Sequence, residues 1–208
     1  MTKIMDSVLD YPLAEGYAIR NIDGSEKDIA EWIEICKNGL LKEEEGRSSY
    51  DSRITHWRHQ EWIHPERDVF MVYETATGRC VATITGYVQP DGDGDIHMVA
   101  ARPECRGKKI GHAMLSVALK KLKADGVPRT HLTTDDWRLP AIKNYFTAGF
   151  RPVLYEDSKE RWEKLFPILN VEPIPFLTVD GREVTDEDWK AYAEELAAYK
   201  AKQEALQK

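Results

Sequence analysis

The run Arg102-Pro103-Glu104-Cys105-Arg106-Gly107-Lys108-Lys109-Ile110-Gly111-His112-Ala113 gathers the residue types that hold phosphate. A glycine-bearing turn that opens a helix leaves backbone N–H groups without intrahelical acceptors, and the helix dipole adds positive potential there. Arg106, Lys108 and Lys109 add full charges, so the segment reads as an anion cradle or, more plainly, as a capped helix with a solvated basic start. It is neither a GxxxxGK[ST] loop nor a GxGxxG dinucleotide turn. Upstream, Asp95 and His97 are two apart on a predicted strand, on the face that alternation also gives to Val99. Of the two, His97 has the intrinsic pKa better suited to taking a proton near neutrality, although both also read as exposed strand-edge residues. Asp91-x-Asp93-x-Asp95 imitates the start of a calcium loop, but Ile96 stands at the obligatory glycine and Arg102 at the twelfth position. His56, His59, His64 and Glu61 lack the HExxH spacing of a zinc site, so no metal centre is expected. Cys105 has no identifiable histidine partner and does not read as a nucleophile.

Those residues need a scaffold of alternating strands and helices. Gly16 to Ile22 alternates as a short strand, and Ser25 with Asp28 forms a capping box before a helix bearing Ile29, Trp32, Ile33 and Cys36, ended near Gly39. Glu43 to Glu45 lie in a polar stretch, and Trp57 to Trp62 reads as helical. Asp68 to Glu74 and Cys80 to Val88 form a hairpin through Thr75–Arg79, followed by a strand from Asp95 to Ala101. From Lys109 to Lys123, Ile110, Met114, Val117, Ala118 and Leu122 recur at helical spacing, with Gly126 closing the helix. Thr130–Thr134 reads as a strand, Pro140–Ala148 as a helix and Phe150–Tyr155 as a strand. Beyond these, Thr178 to Val184 reads as a small hairpin around Asp180-Gly181. Thr185 with Asp188 caps a long helix with Trp189, Tyr192, Leu196 and Tyr199 on one face. That face must be covered by this chain or by a second copy in a homodimer.

From Val99 onward the spacing V-x-x-x-P-x-x-R-G-K-x-I-G-x-A resembles the acyl-CoA pyrophosphate loop of the GNAT N-acetyltransferase superfamily. Asp136 to Phe150, with Ala141, Tyr145, Gly149 and Phe150, is similar to that family's second signature, A-x-x-x-Y-x-x-x-G-F. The resemblance covers roughly residues 16–165. It implies an α/β (α+β) fold with a central mixed sheet flanked by helices, a GNAT-like domain at 1–165, and a C-terminal helical extension at 166–208. It also implies acetyl-CoA as cosubstrate, held in a split between the strand of Val99 and the strand at Thr130–Thr134. Backbone groups of Val99 and Ala101 would meet the pantetheine arm and acyl carbonyl. The amides of Gly107, Lys108, Lys109, Ile110, Gly111 and His112 would hold the pyrophosphate, with Arg106 beside them. Tyr145 matches the tyrosine that protonates the departing thiolate, and the plainer reading is a packed aromatic. The family has glycine where Lys109 stands and asparagine where Arg138 stands, so Arg138 either reaches a CoA phosphate or stays solvated. Some members carry a glutamate base where this chain has Thr133, which leaves Asp95, His97 or water for that task. Trp32, Tyr50, Trp57 and Trp62 fall in the region that covers the acceptor in relatives, as pocket or as core aromatics.

With 208 residues, 42% apolar and 31% charged, the chain is long enough for a substantial core. No run approaches the ~20 apolar residues of a membrane span, and Met1–Glu15 lacks a signal-peptide pattern. The net charge of −7 argues against a generic nucleic-acid surface and weakly suits a cationic acceptor. Three widely spaced cysteines suit a reducing, cytoplasmic setting. The expected activity is transfer of acetyl from acetyl-CoA to a small-molecule or peptide amine. The competing expectation is a non-catalytic acyl-CoA-binding or sensing module.

Overall fold

The computed structural model describes residues 1–40 and 61–206. The expected helix at Trp57–Trp62, the acidic triplet Glu43–Glu45 and Tyr50 therefore fall wholly or mostly outside the described residues. In chain order the elements are β1 (Thr2–Ile4), β2 (Tyr17–Asn21), α1 (Glu26–Leu40), α2 (Pro65–Asp68), β3 (Val69–Glu74), β4 (Cys80–Val88) and β5 (Gly94–Ala101). There follow α3 (Ile110–Ala124), β6 (Arg129–His131), α4 (Leu139–Thr147), α5 (Ser158–Leu169) and α6 (Asp186–Leu206). They group into two compact units, Met5–Leu132 and Met1–Ile4 with Thr133–Lys208.

In the first unit the strands lie in the order β6-β5-β4-β3-β2, antiparallel except for the parallel pair β5–β6. This is the mixed sheet expected. Helix α1 starts where the capping box requires: the Asp28 amide donates to Ser25 Oγ at 3.2 Å. The buried Asp28 carboxylate accepts both Arg20 guanidinium nitrogens, the Tyr73 hydroxyl and the Asp23 amide. Trp32, Ile35 and Cys36 then pack with Val69, Met71, Cys80 and Ala100 on one face of the sheet, so Trp32 is a core aromatic. Helix α3 takes the other face, where a Cβ on Gly86 would stand 3.1 Å from Ala118 Cβ.

Two strand limits differ from expectation. Asp68 closes α2 instead of opening β3. Its fully buried carboxylate accepts from the His64 amide at 2.8 Å and Arg67 Nε at 3.0 Å and is paired with Lys121. Strand β6 ends at His131 rather than Thr134, because its pairing with β5 is confined to Gly94↔Thr130 and Asp95↔His131.

In the second unit no ladder forms at Phe150–Tyr155. Arg151 makes a single bridge to Thr2 and Val153 another to Leu177, and Pro152 between them has no N–H to donate. Helix α5 was not expected; its Leu165 and Leu169 pack with Ile142 of α4. The expected boundary after residue 165 falls inside it. The tail turn is a single bridge, Leu177↔Glu183, with Thr178 N donating to Arg182 O. Thr185 and Asp188 cap α6 reciprocally, and its Trp189, Tyr192 and Leu196 pack with Leu154, Phe166 and Phe176 of the same unit.

Candidate active site

The basic turn enters α3 through two left-handed residues, Gly107 at φ 77° and Lys109 at φ 57°. Glycine is the residue that adopts this conformation without strain, which fits the glycine that the resemblance implies where Lys109 stands. The turn closes through Lys108 N to Cys105 O (3.3 Å) and His112 N to Lys109 O (3.1 Å). Among the described residues, the amides of Gly107, Lys109, Ile110 and Gly111 make no backbone hydrogen bond outside regular elements. Four of the six expected amides are thus offered to an anion. Arg106 and Lys109 are exposed beside them, whereas Lys108 Nζ donates to the Tyr17 hydroxyl at 2.6 Å. The His112 ring lies 5.0 Å from that of Tyr11.

Strand β5 runs into this turn, and its ladder with β6 is confined to Gly94 and Asp95. Val99 and Ala101 lie beyond that ladder. Met98 has φ 50°, and the register passes from Thr85↔His97 to Thr83↔Ala100, so one extra residue bulges out of β5. Cross-strand partners share a face, so Ala100, not Val99, follows His97 on the face of Thr83 and Thr85. The expected common face of Asp95, His97 and Val99 therefore holds only for the first two. The cause is the bulge, which shifts the alternation by one residue.

Asp95 and His97 lie on the sheet face covered by α1 and are partly buried. Burial pushes Asp95 up to about 7, against the lowering effect of Gln89, whose Nε2 donates to Asp95 Oδ2 at 2.7 Å. Burial pushes His97 down to about 4, so its ring is neutral near pH 7, while the Asp95 carboxyl titrates closer to neutrality. Thr85, opposite His97, has a buried hydroxyl with no hydrogen bond among the described residues. Gln89 and Thr85 were missed, because neither carries a charge or belongs to a motif.

In the second unit Arg138 and Tyr145 lie on one segment, at the start and on the body of α4. Tyr145 is buried, with its ring 6.0 Å from that of Phe150. Burial pushes its phenol up to about 12, with Arg138 acting in the lowering direction. Arg138 pairs with Asp135 at 3.0 Å and lies over the Trp137 ring at 4.8 Å. Thr133 lies outside any strand.

The other sequence candidates separate. Asp91 caps its own turn, Asp93 accepts from Arg129 and approaches His131, and Asp95 turns to Gln89. Cys105 is buried, and burial raises its thiol. Among the described residues no group of three His, Cys, Asp or Glu side chains could hold a metal, and no helix is long and apolar enough to cross a membrane.

A mixed sheet flanked by helices, with a strand passing through a basic turn into a helix, defines an α/β domain. The chain belongs to the acetyltransferase (GNAT) family, whose model matches residues 27–150. A mycothiol acetyltransferase of Beutenbergia cavernae is 25% identical over 149 residues, covering 71% of this chain and 49% of the relative. The chain spans about half the length of the curated relatives it matches. Among solved structures, a GCN5-related N-acetyltransferase from Sphaerobacter thermophilus superimposes with a TM-score of 0.56 at 23% identity, over 71% of this chain and 45% of that one. The ribosomal-protein-S18-alanine N-acetyltransferase from Escherichia coli gives 0.50 at 18% identity, over 80% and 88%. These likenesses bear on the fold.

Proposed function

We propose that this chain is an N-acetyltransferase that moves the acetyl group of acetyl-CoA directly to an amine, with no metal. The observation that carries the reading is the set of four free amides at Gly107, Lys109, Ile110 and Gly111, the donor type a pyrophosphate requires. Arg106, Lys108 and Lys109 supply countercharge, Arg138 offers a further cation, and the His112 side chain borders the turn. Bound acetyl-CoA supplies an activated thioester. The backbone stretch of β5 at Val99 and Ala101 aligns the pantetheine arm and polarises the acyl carbonyl. Asp95 takes a proton from the incoming ammonium, with His97 beside it as a neutral polar group. Tyr145 gives its phenolic proton to the leaving sulfur.

The acceptor is a small-molecule or peptide amine. Residues 1–165 form the transferase part of this proposal and 166–208 its extension, working in the cytoplasm. Release of CoA thiol is to be measured with acetyl-CoA and a panel of polyamines, amino acids, peptides and amines related to mycothiol, the compound for which the matched relatives are named. Amine-dependent thiol release supports the transferase. Tight acetyl-CoA binding with no turnover on any amine favours the binding module instead. Failure to bind acetyl-CoA overturns both.

A further inference from the structure

Gln89 ends β4's side of the hairpin, and its backbone is fixed there: Gln89 N donates to Asp93 O at 2.7 Å and Gly92 N to Gln89 O at 2.9 Å. From that anchored position its side chain reaches diagonally to Asp95 Oδ2 at 2.7 Å. An ionised carboxylate only accepts hydrogen bonds, so the amide nitrogen must face it. Among the described residues Asp95 Oδ1 accepts no hydrogen bond. One oxygen is therefore held and the other is left over.

We propose that Gln89 is a positioning residue for Asp95, fixing one carboxylate oxygen so that the other is presented to the acceptor amine. This rests on the reading of Asp95 as the base. The groups around Asp95 fit that division. Asp93, two residues before it, is committed to Arg129 and His131, and His97, two residues after it, is kept neutral by burial. Tyr87 is its partner on β4 and His131 its partner on β6. The Gln89 amide donates to this carboxylate and so favours its charged form in a desolvated place. An alternative role, holding the hairpin closed, is already filled by the two backbone bonds.

The test uses the full chain with Gln89→Leu and Gln89→Glu, each first shown to be folded by circular dichroism. The Asp95 carboxyl carbon is titrated by NMR, which needs no acceptor. Loss of a hydrogen bond to a charged group should move its midpoint up by about one unit in Gln89→Leu, and the added like charge should move it further in Gln89→Glu. With an amine accepted in the panel, the acid limb of kcat should move by the same amount while KM for acetyl-CoA stays within about twofold. A midpoint unmoved in both variants overturns the inference. Persistence of the acid limb in Asp95→Asn overturns the assignment of the base instead, and the carbon titration still decides whether Gln89 holds Asp95.

Discussion

Replacing Tyr145 by Phe removes one hydroxyl and leaves the ring where it packs, 6.0 Å from Phe150. Burial raises the phenol from 10.0 to about 12, which is about 2.7 kcal/mol of acidity lost at ~1.36 kcal/mol per unit. A free thiol titrates near 8.5, so handing this proton over runs uphill by roughly 3.5 units even to a fully formed thiolate, and by more while charge on sulfur is still partial. The phenol can help only late, when the C–S bond is nearly broken and a dry environment favours moving the charge. Turnover should therefore fall by about 10²-fold, the lower end of the range for a positioned general acid. Affinity for CoA should stay within about twofold, because no phosphate contact is touched. The wild-type rate should also show no alkaline limb from this group below about pH 10. Thiol release from acetyl-CoA, measured against pH in both proteins, reads all three quantities. A folded Tyr145→Phe enzyme within threefold of wild type would refute the role and leave Tyr145 as a packed aromatic.

Lys109→Gly should stabilise the protein by about 1 kcal/mol, since a non-glycine residue at φ 57° carries that order of strain. Urea unfolding with an unchanged slope measures it, and a destabilised variant would show that the lysine side chain makes a compensating contact. Lys121→Met should cost about 3 kcal/mol, because it leaves the fully buried Asp68 carboxylate with only Arg67 and the His64 amide. Burial raises Asp68, but Arg67, Lys121 and the His64 amide together hold it below 3.8, so its stabilisation is present above that pH and lost as pH falls through the folded value. Removing Lys121 raises the folded value, so the variant should lose stability at higher pH than wild type; coincident acid transitions would falsify the pairing.

The elements that the sequence displays are those whose signals are local. Ser25 with Asp28 and Thr185 with Asp188 mark helix starts within four residues, and both caps form as read. Helix α5 displays Trp162, Leu165, Phe166 and Leu169 at helical spacing, yet Pro167 obscures it. Proline in the last turn forfeits one amide donor, and the helix still closes through Val171 N to Phe166 O and a left-handed Asn170. Phe150–Tyr155 shows the opposite case. Its apolar alternation reads as a strand, but a ladder is a property of two chains in register, and here only Arg151 and Val153 find bridge partners.

The basic turn was readable because an anion cradle of the proposed kind depends on backbone amides, whose placement follows from glycine and the helix start. The choice of Asp95 as the proposed base was not, because what separates it from His97 is burial rather than residue type. In water an imidazole is the better proton acceptor near neutrality. Taken out of water on one sheet face, the carboxylate moves up and the imidazole moves down, because desolvation penalises whichever form carries charge. The same environment thus exchanges their usefulness. That face also exists in its observed form only because the bulge at Met98 changes which residues follow His97 on it, and nothing in Met98 or its neighbours marks a left-handed residue. Residue types on a strand can therefore name a pair of side chains without ranking them as proton acceptors, until the packing on both sides of the sheet is known.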